Sequence, residues 1–274
     1  MHPVHPKAAQ VLASIEAGYE SEERQEARRY IGASMAGTDC LAQMALSLRG
    51  FPDVAPDPQL KRVFSAGHHI EDWVVRDLKK KTGLRVWERD DISGKQHRRE
   101  WLNGHVVCNA DGIVVFQDDA KAILEIKSMN DANFTNFVKN GVKASHRKYY
   151  RQMTMMMAMF NIEHSLFVSY NKNNSQLHAE LVPFDQEEWD MMYVKIQAVL
   201  DGQAERVASA PEDWRCKSCF KRGSCWSPTE LPPACHLCRH SSASKSGGWM
   251  CGKTGKEEEA PCEAFEQFAP TAKV

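Results

Sequence analysis

No window of the sequence approaches the ~18 to 20 consecutive apolar residues that a bilayer span needs, so the chain is not expected to cross a membrane. The first ten residues, MHPVHPKAAQ, lack the apolar centre of a secretion signal. An excess of charge of one sign is also missing, with 35 Lys+Arg against 36 Asp+Glu in 274 residues. That balance excludes a generic polycation, and any nucleic-acid surface must be local. No tandem repeat is present, and no GxxxxGK[ST] phosphate loop occurs, so ATP-driven unwinding would need a partner. These absences predict a soluble, cytoplasmic protein, and 42% hydrophobic content is enough for one sizeable core with a small appendage.

Helical and strand-like patterns follow one another along the chain. Residues 7–30 mix Ala, Glu and Arg at helical spacing, and a short apolar helix bearing Cys40 follows a turn. FPDVAPDP breaks structure at 51–58, after which Val63, Ile70, Trp73, Val74 and Leu78 share one helical face ending near Gly83. LRVWERDD, residues 105–116 and residues 121–129 read as three strands of a meander, with Gln117 to Ala120 as a turn. Helix returns over 142–160, a hairpin turns around Asn173 and Asn174, and 185–204 is helical. The fold class expected is α/β, a mixed central sheet flanked by helices. Beyond Pro211, Pro, Gly, Ser and Cys dominate and the apolar periodicity stops.

The sharpest chemical signal is Asp111 followed by Glu125-Ile126-Lys127. Successive strand residues alternate faces, so Glu125 and Lys127 point one way and Ile126 the other. A hairpin centred on Asp118 sets Asp111 opposite Glu125. Cross-strand Cβ atoms lie roughly 5 Å apart, close enough for two carboxylates to share a hard divalent cation such as Mg²⁺ or Mn²⁺. Lys127 could then orient a water, a constellation suited to phosphodiester hydrolysis. The competing reading is a solvated Glu/Lys ladder on an open sheet face.

From Ala132 to Asn161 there is no acidic residue, while Lys139, Lys143, Arg147, Lys148 and Arg151 alternate with Phe134, Tyr149 and Tyr150. Basic residues interleaved with aromatics suit DNA phosphates and bases. The run Met153, Met155, Met156, Met157 and Met159 reads as core packing.

Cysteine is concentrated rather than abundant, seven of the nine lying after Pro211. Cys235, Cys238, Cys251 and Cys262 make a complete tetrathiolate set in a short polar segment that could hardly fold without Zn²⁺. Cys216, Cys219 and Cys225 supply three thiolates and want a fourth, for which Cys40 is the candidate. Thiolate spacing alone does not separate iron from zinc there. Cys108, on an apolar strand, reads as a buried structural thiol, and His236 and His240 are spare ligands.

The order GHHIE (67–71), NADG (109–112), EIK (125–127) and YYRQ (149–152) resembles the PD-(D/E)XK nuclease superfamily, in its RecB-like branch, over roughly residues 38–230. One early cysteine with a later trio resembles the iron-sulfur subgroup of that branch, which includes the CRISPR-associated exonucleases. The resemblance implies a restriction-endonuclease-like core and a metal site made by Glu71, with His68 or His69 as substitutes, together with Asp111, Glu125 and the Ile126 carbonyl. It implies Lys127 and Gln152 as catalytic residues and a [4Fe-4S] cluster on Cys40, Cys216, Cys219 and Cys225. Met156 stands where that family's helix motif has tyrosine, and Ala110 where proline commonly precedes the motif acid. The expected layout is a helical segment (1–30), a nuclease core closed by the cluster (31–230) and a zinc module (231–274). The expected function is metal-dependent DNA exonuclease in processing, recombination or repair, phage- or CRISPR-linked, on single strands or duplex ends, with a helicase or recombination partner. A noncatalytic DNA-binding or adaptor protein is the alternative.

Overall fold

The protein is described from a computed structural model over residues 5–23 and 26–272. Helix α1 (Pro6–Glu20) starts where the His5 ring accepts the Lys7 N–H. Of the helical segment expected over 1–30, residues 1–4 and 24–25 lie outside the described residues. The short elements β1 (Ile31–Gly32), α2 (Ala33–Ala36) and α3 (Leu41–Leu48) lead to α4 (Pro58–Lys81). Asp57 caps α4 by accepting the Leu60 N–H, Pro58 fills the first helical position, and Lys79, Lys80 and Lys81 face the negative end of its dipole.

Two sheets follow where one meander was expected. Strands β2 (Arg85–Trp87), β3 (His97–Trp101), β4 (Val106–Ala110), β5 (Gly112–Val115) and β6 (Lys121–Met129) come in succession. The stretch 105–116 breaks at Asp111: β4 joins a three-stranded sheet of order β1-β4-β3, while β5 enters a five-stranded sheet. The hairpin of β5 and β6 keeps the expected register, Gly112 opposite Leu124 and Ile113 opposite Ile123. Helices α5 (Asp131–Ser145) and α6 (Arg147–Phe160) then cross over to β7 (His164–Asn171), which runs parallel to β6, and β8 (Leu177–Pro183) returns antiparallel at the edge. The five-stranded order is β2-β5-β6-β7-β8, a mixed sheet. Helix α5 and strand β3 were not anticipated from the sequence: α5 is rich in Asn, and β3 (HRREW) carries no apolar alternation.

Helices cover both faces of the mixed sheet. On one, Val74 and Val75 of α4 pack on Val114, Leu124, Ile126 and Val168. On the other, α5 and α6 bury Phe137, Met153, Met156 and Met157 against Ile123 and Phe167. Full burial of each such side chain is worth about 1.5–3 kcal/mol. The methionine run is core, as its spacing predicted, and Cys108 is a buried thiol whose ionisation is opposed by burial and by Glu125.

After α7 (Gln186–Leu200), the chain makes α8 (Trp214–Lys217), α9 (Arg222–Trp226) and a hairpin of β9 (Ser241–Ala243) and β10 (Trp249–Cys251). This last part sends Leu237 and Phe268 into the main core. Thr271 bonds back to Ala204 and Arg206 through backbone. No described helix is long and apolar enough to cross a membrane.

Candidate active site

Asp111 occupies the single residue between β4 and β5, where the chain changes sheets. The change needs a close approach at Gly112, where a Cβ would meet the Trp87 carbonyl oxygen at 3.2 Å. Continuing the β5–β6 register sets Asp111 beside Glu125, and Asp111 Oδ2 accepts the Ile126 N–H at 3.2 Å. Glu125 is 1% exposed. Its Oε1 accepts Gln152 Nε2 at 2.8 Å and pairs with Lys127 Nζ, so Gln152, singled out in the sequence, reaches a motif carboxylate. Lys127 Nζ also donates to the Ile126 carbonyl at 3.2 Å and lies 5.6 Å from the Tyr149 ring centre.

Glu71 of α4 completes the group, its carboxyl hydrogen-bonded to Asp111. His68 and His69 are exposed on the same helix, so Glu71 is the α4 group that reaches the motif. Burial, and then the neighbouring Asp111 charge, push the Glu71 carboxyl up to about 8. Burial pushes Glu125 up to about 7, with Lys127 pulling it down and Asp111 raising it further. Burial also opposes the charge on Lys127, but Glu125 and Asp111 outweigh it and keep Nζ protonated. Glu71 and Glu125 thus hold their protons more tightly than ordinary carboxyls, and the oxygen donors of Glu71, Asp111, Glu125 and the Ile126 carbonyl are of the hard type that a small divalent cation takes in exchange for those protons. Among the described residues, no group of three or more His, Cys, Asp or Glu side chains stands at metal-holding distances.

The basic stretch is corrected by its surroundings. Arg151 is 6% exposed, and its guanidinium is divided between Asp39 and Glu188 at 2.6 Å each. Tyr150 is buried, with its hydroxyl donated to Asp185 at 2.7 Å. Neither presents a free surface to DNA, because α7 brings Asp185 and Glu188 against them. Lys143 and Arg147 stay exposed but pair with the same two acids. Tyr149 lies over Lys127, and Lys148 faces the cysteine cavity described next.

Cys40, Cys216, Cys219 and Cys225 line one cavity of about 320 Å³, walled also by Lys148 and Arg206. Cys40 stands at the start of α3, and the trio comes from α8, α9 and the turn between them. Burial pushes the Cys219 thiol up to about 11, against the Lys221 N–H, and the other three sulfurs raise it further. Arg206 donates Nη2 to the Cys225 carbonyl at 2.7 Å, while its buried Nε has no oxygen or nitrogen partner. The cavity is edged by four thiols and lined with cations, but among the described residues its sulfurs do not stand at metal-holding distances. Arg206 carried no motif signal in the sequence.

The architecture is α/β, a mixed central sheet flanked by helices, with a lysine–carboxylate cluster at the point where one strand ends and the next begins. Residues 32–163, just under half of the chain, match the model of the YqaJ-like viral recombinase domain, which supports the PD-(D/E)XK nuclease superfamily. The match ends before Cys216. An alkaline exonuclease (LHK-Exo) from Laribacter hongkongensis is similar at 18% identity and TM-score 0.45, over 69% of this chain and 91% of that one. The structure of that exonuclease in complex with dAMP gives 18% and 0.46 over the same shares. A phage-related exonuclease from Haemophilus somnus 129PT gives 16% and 0.41, over 58% and 77%. No curated protein matches the sequence.

Proposed function

We propose that this protein is a Mg²⁺- or Mn²⁺-dependent DNA exonuclease acting in recombination, in the cytoplasm of a bacterium or a phage-infected host. The observation that carries this reading is the convergence of Glu71, Asp111, Glu125 and Lys127 at the β4–β5 break. The recombinase-domain match over residues 32–163 supports a DNA exonuclease in recombination. Glu71, Asp111, Glu125 and the Ile126 carbonyl would hold the cation, which when bound supplies Lewis-acid polarisation of a phosphate and a more acidic water.

The chain's own residues do the positioning. Gln152 fixes the Glu125 carboxylate from α6, and the Ile126 N–H fixes that of Asp111. Lys127, held protonated, offers a preformed positive charge and N–H donors to a phosphate oxygen or to the oxygen of an attacking water. DNA enters along Tyr149 and the exposed Lys143 and Arg147, whose acid partners can be exchanged for phosphates.

The four-thiol cavity is assigned to a [4Fe-4S] cluster within a core spanning 31–230. The resemblance of Cys40 and the later trio to the iron-sulfur subgroup supports that choice over zinc with the same ligands. The second set, Cys235, Cys238, Cys251 and Cys262, is assigned to Zn²⁺ in a module spanning 231–274. A helicase or recombination protein would supply the opened strand.

The test is incubation of anaerobically purified protein with end-labelled single- and double-stranded DNA in Mn²⁺, Mg²⁺ or EDTA. Progressive shortening from an end, abolished by EDTA, is expected. DNA binding with no cleavage under any of these conditions would overturn the reading in favour of an adaptor.

A further inference from the structure

Helix α4 turns an aromatic and cationic stripe to solvent. His69, Trp73, Arg76 and Lys80 recur at helical spacing, so they form one row about 16 Å long, and all four are exposed. Trp73 is 45% exposed. Among the described residues neither Arg76 nor Lys80 takes part in an ion pair, and Asp77 beside them is paired with Lys81 at 3.1 Å. Asp72 lies about 100° round the helix from Trp73.

The Trp73 ring is supported from behind. Its centre lies 5.8 Å from that of Tyr170, at an interplanar angle of 44°. Tyr170 packs on the core that Val74 and Val75 share with Val168, and its hydroxyl donates to Ser175 Oγ at 2.8 Å. The turn carrying Ser175 is itself pinned. Asn171 Nδ2 donates to Asp131 Oδ1 at 2.7 Å, the Asn173 N–H to Asn171 Oδ1 at 3.0 Å, and the Asp131 N–H to Asn173 Oδ1 at 2.9 Å. An aromatic ring already fixed in place gives up little conformational entropy when a flat partner lies on it.

The stripe starts at the carboxylate group. Glu71 is two residues before Trp73, about 3 Å along the helix axis. Tyr170 pairs with Ser128, the residue after Lys127, on the part of β6 that runs beyond its pairing with β5 at Leu124. Tyr149 flanks Lys127 from α6, on the other face of the sheet. A strand passing the carboxylates therefore has an aromatic ring on either side of them.

We propose that Trp73, backed by Tyr170, is a stacking platform for an unpaired base of the DNA strand, and that Arg76 and Lys80 take the phosphates leading away from the carboxylates. Every base has a π-face, so such a platform holds a strand without reading its sequence. A base inside a duplex has both faces covered by its neighbours, so the platform selects single strands or unpaired ends. The place of the cut rests on the nuclease reading above; the binding does not.

The test is fluorescence anisotropy of a short labelled oligothymidylate titrated with the full-length protein in EDTA, where nothing is cut. Trp73→Leu keeps apolar volume and loses the ring, and its affinity should fall roughly 5- to 150-fold, the range for one lost base–aromatic stack. Trp73→Phe should recover most of that loss. On a strand of the same length made of abasic deoxyribose phosphates, Trp73→Leu and the wild type should bind alike. The wild type should itself prefer the base-bearing strand, a comparison that needs no variant to fold. Arg76→Gln/Lys80→Gln should reduce the slope of log affinity against log salt by roughly 1.4, two single-strand phosphates at ~0.7 each.

Equal affinity of Trp73→Leu and the wild type for the oligothymidylate, an equal loss on the abasic strand, or no wild-type preference between the two strands would overturn the platform. An unchanged salt slope would overturn the role of Arg76 and Lys80. Cleavage by the wild type with binding unmoved in these variants would leave the nuclease reading standing without this one. The expected binding results in a protein that cuts no DNA would do the reverse.

Discussion

Asp111, Glu125 and Lys127 contribute charge at one point, and replacing any of them by alanine removes little core volume. Each variant should fold and bind DNA while cleavage falls roughly 10²- to 10³-fold, the scale for losing a preorganised electrostatic group; near-wild-type turnover in any of the three would refute its assignment. The same carboxylates should make Mn²⁺ raise the melting temperature of the wild type but not of Asp111→Ala or Glu125→Ala, as scanning fluorimetry can read. Away from that site, Arg151 and Lys195 hold the Asp39 carboxyl at about 2, below its usual 3.8, and Arg151 and Arg147 hold Glu188 below its usual 4.5, in both cases against burial. A depressed carboxylate stabilises the fold above its unfolded value and ceases to as the pH falls through its folded value. Stability should therefore decline from about pH 4.5 toward about pH 2, and Glu188→Gln should flatten that decline in acid-unfolding curves. The Asp111–Glu125 pairing was legible in the sequence because a short turn fixes hairpin register locally. The fate of Arg151 was not, since its partners are 112 residues before it and 37 after it in the chain.

At the level of elements, the division of residues 105–116 between two sheets builds the site, for it turns Asp111 out of both ladders. Alternation and β-branched content are alike on either side of the break, so the sequence read as one strand; the Asp-Gly step was the local signal available. Helix α5 escaped notice for a related reason. Its first turns are rich in Asn, yet Asn130 caps it by accepting the Asn133 N–H, a start signal that could have been read. Near its end Gly141 takes φ 70°, and the next N–H, that of Val142, bonds Glu180 Oε2 at 2.8 Å. A β-carbon at Gly141 would stand 3.4 Å from that oxygen. Gly141→Ala should cost about 1–3 kcal/mol, the penalty for an L-residue held at positive φ with extended ψ, a region nearly reserved for glycine, measured as a lower urea midpoint with unchanged slope. An equal midpoint would mean that the bend relaxes without it.

For the whole molecule, the cysteine-rich last quarter of the chain is stitched into the main core rather than hung from it. Phe268 packs against Phe51 with tilted rings and centres 6.1 Å apart, Leu237 is buried in the same core as α3, and Thr271 pairs with Ala204 and Arg206. Composition concealed this, because a polar, Gly- and Ser-rich segment needs only a few well-placed apolar residues to dock. Cys40 and the Cys216–Cys225 trio close a loop of more than 170 residues, so a group bound by all four ties the start of the core to its end. Cys40→Ala should strip iron, lower the melting temperature and promote aggregation, while Cys251→Ser should lose only zinc. Truncation after residue 230 separates docking from metal binding. Without Phe268 and Leu237, the apolar side of Phe51 and α3 is left open, and the truncated protein should melt at lower temperature even with its iron in place. An unchanged melting temperature would instead make residues 231–274 an independent appendage.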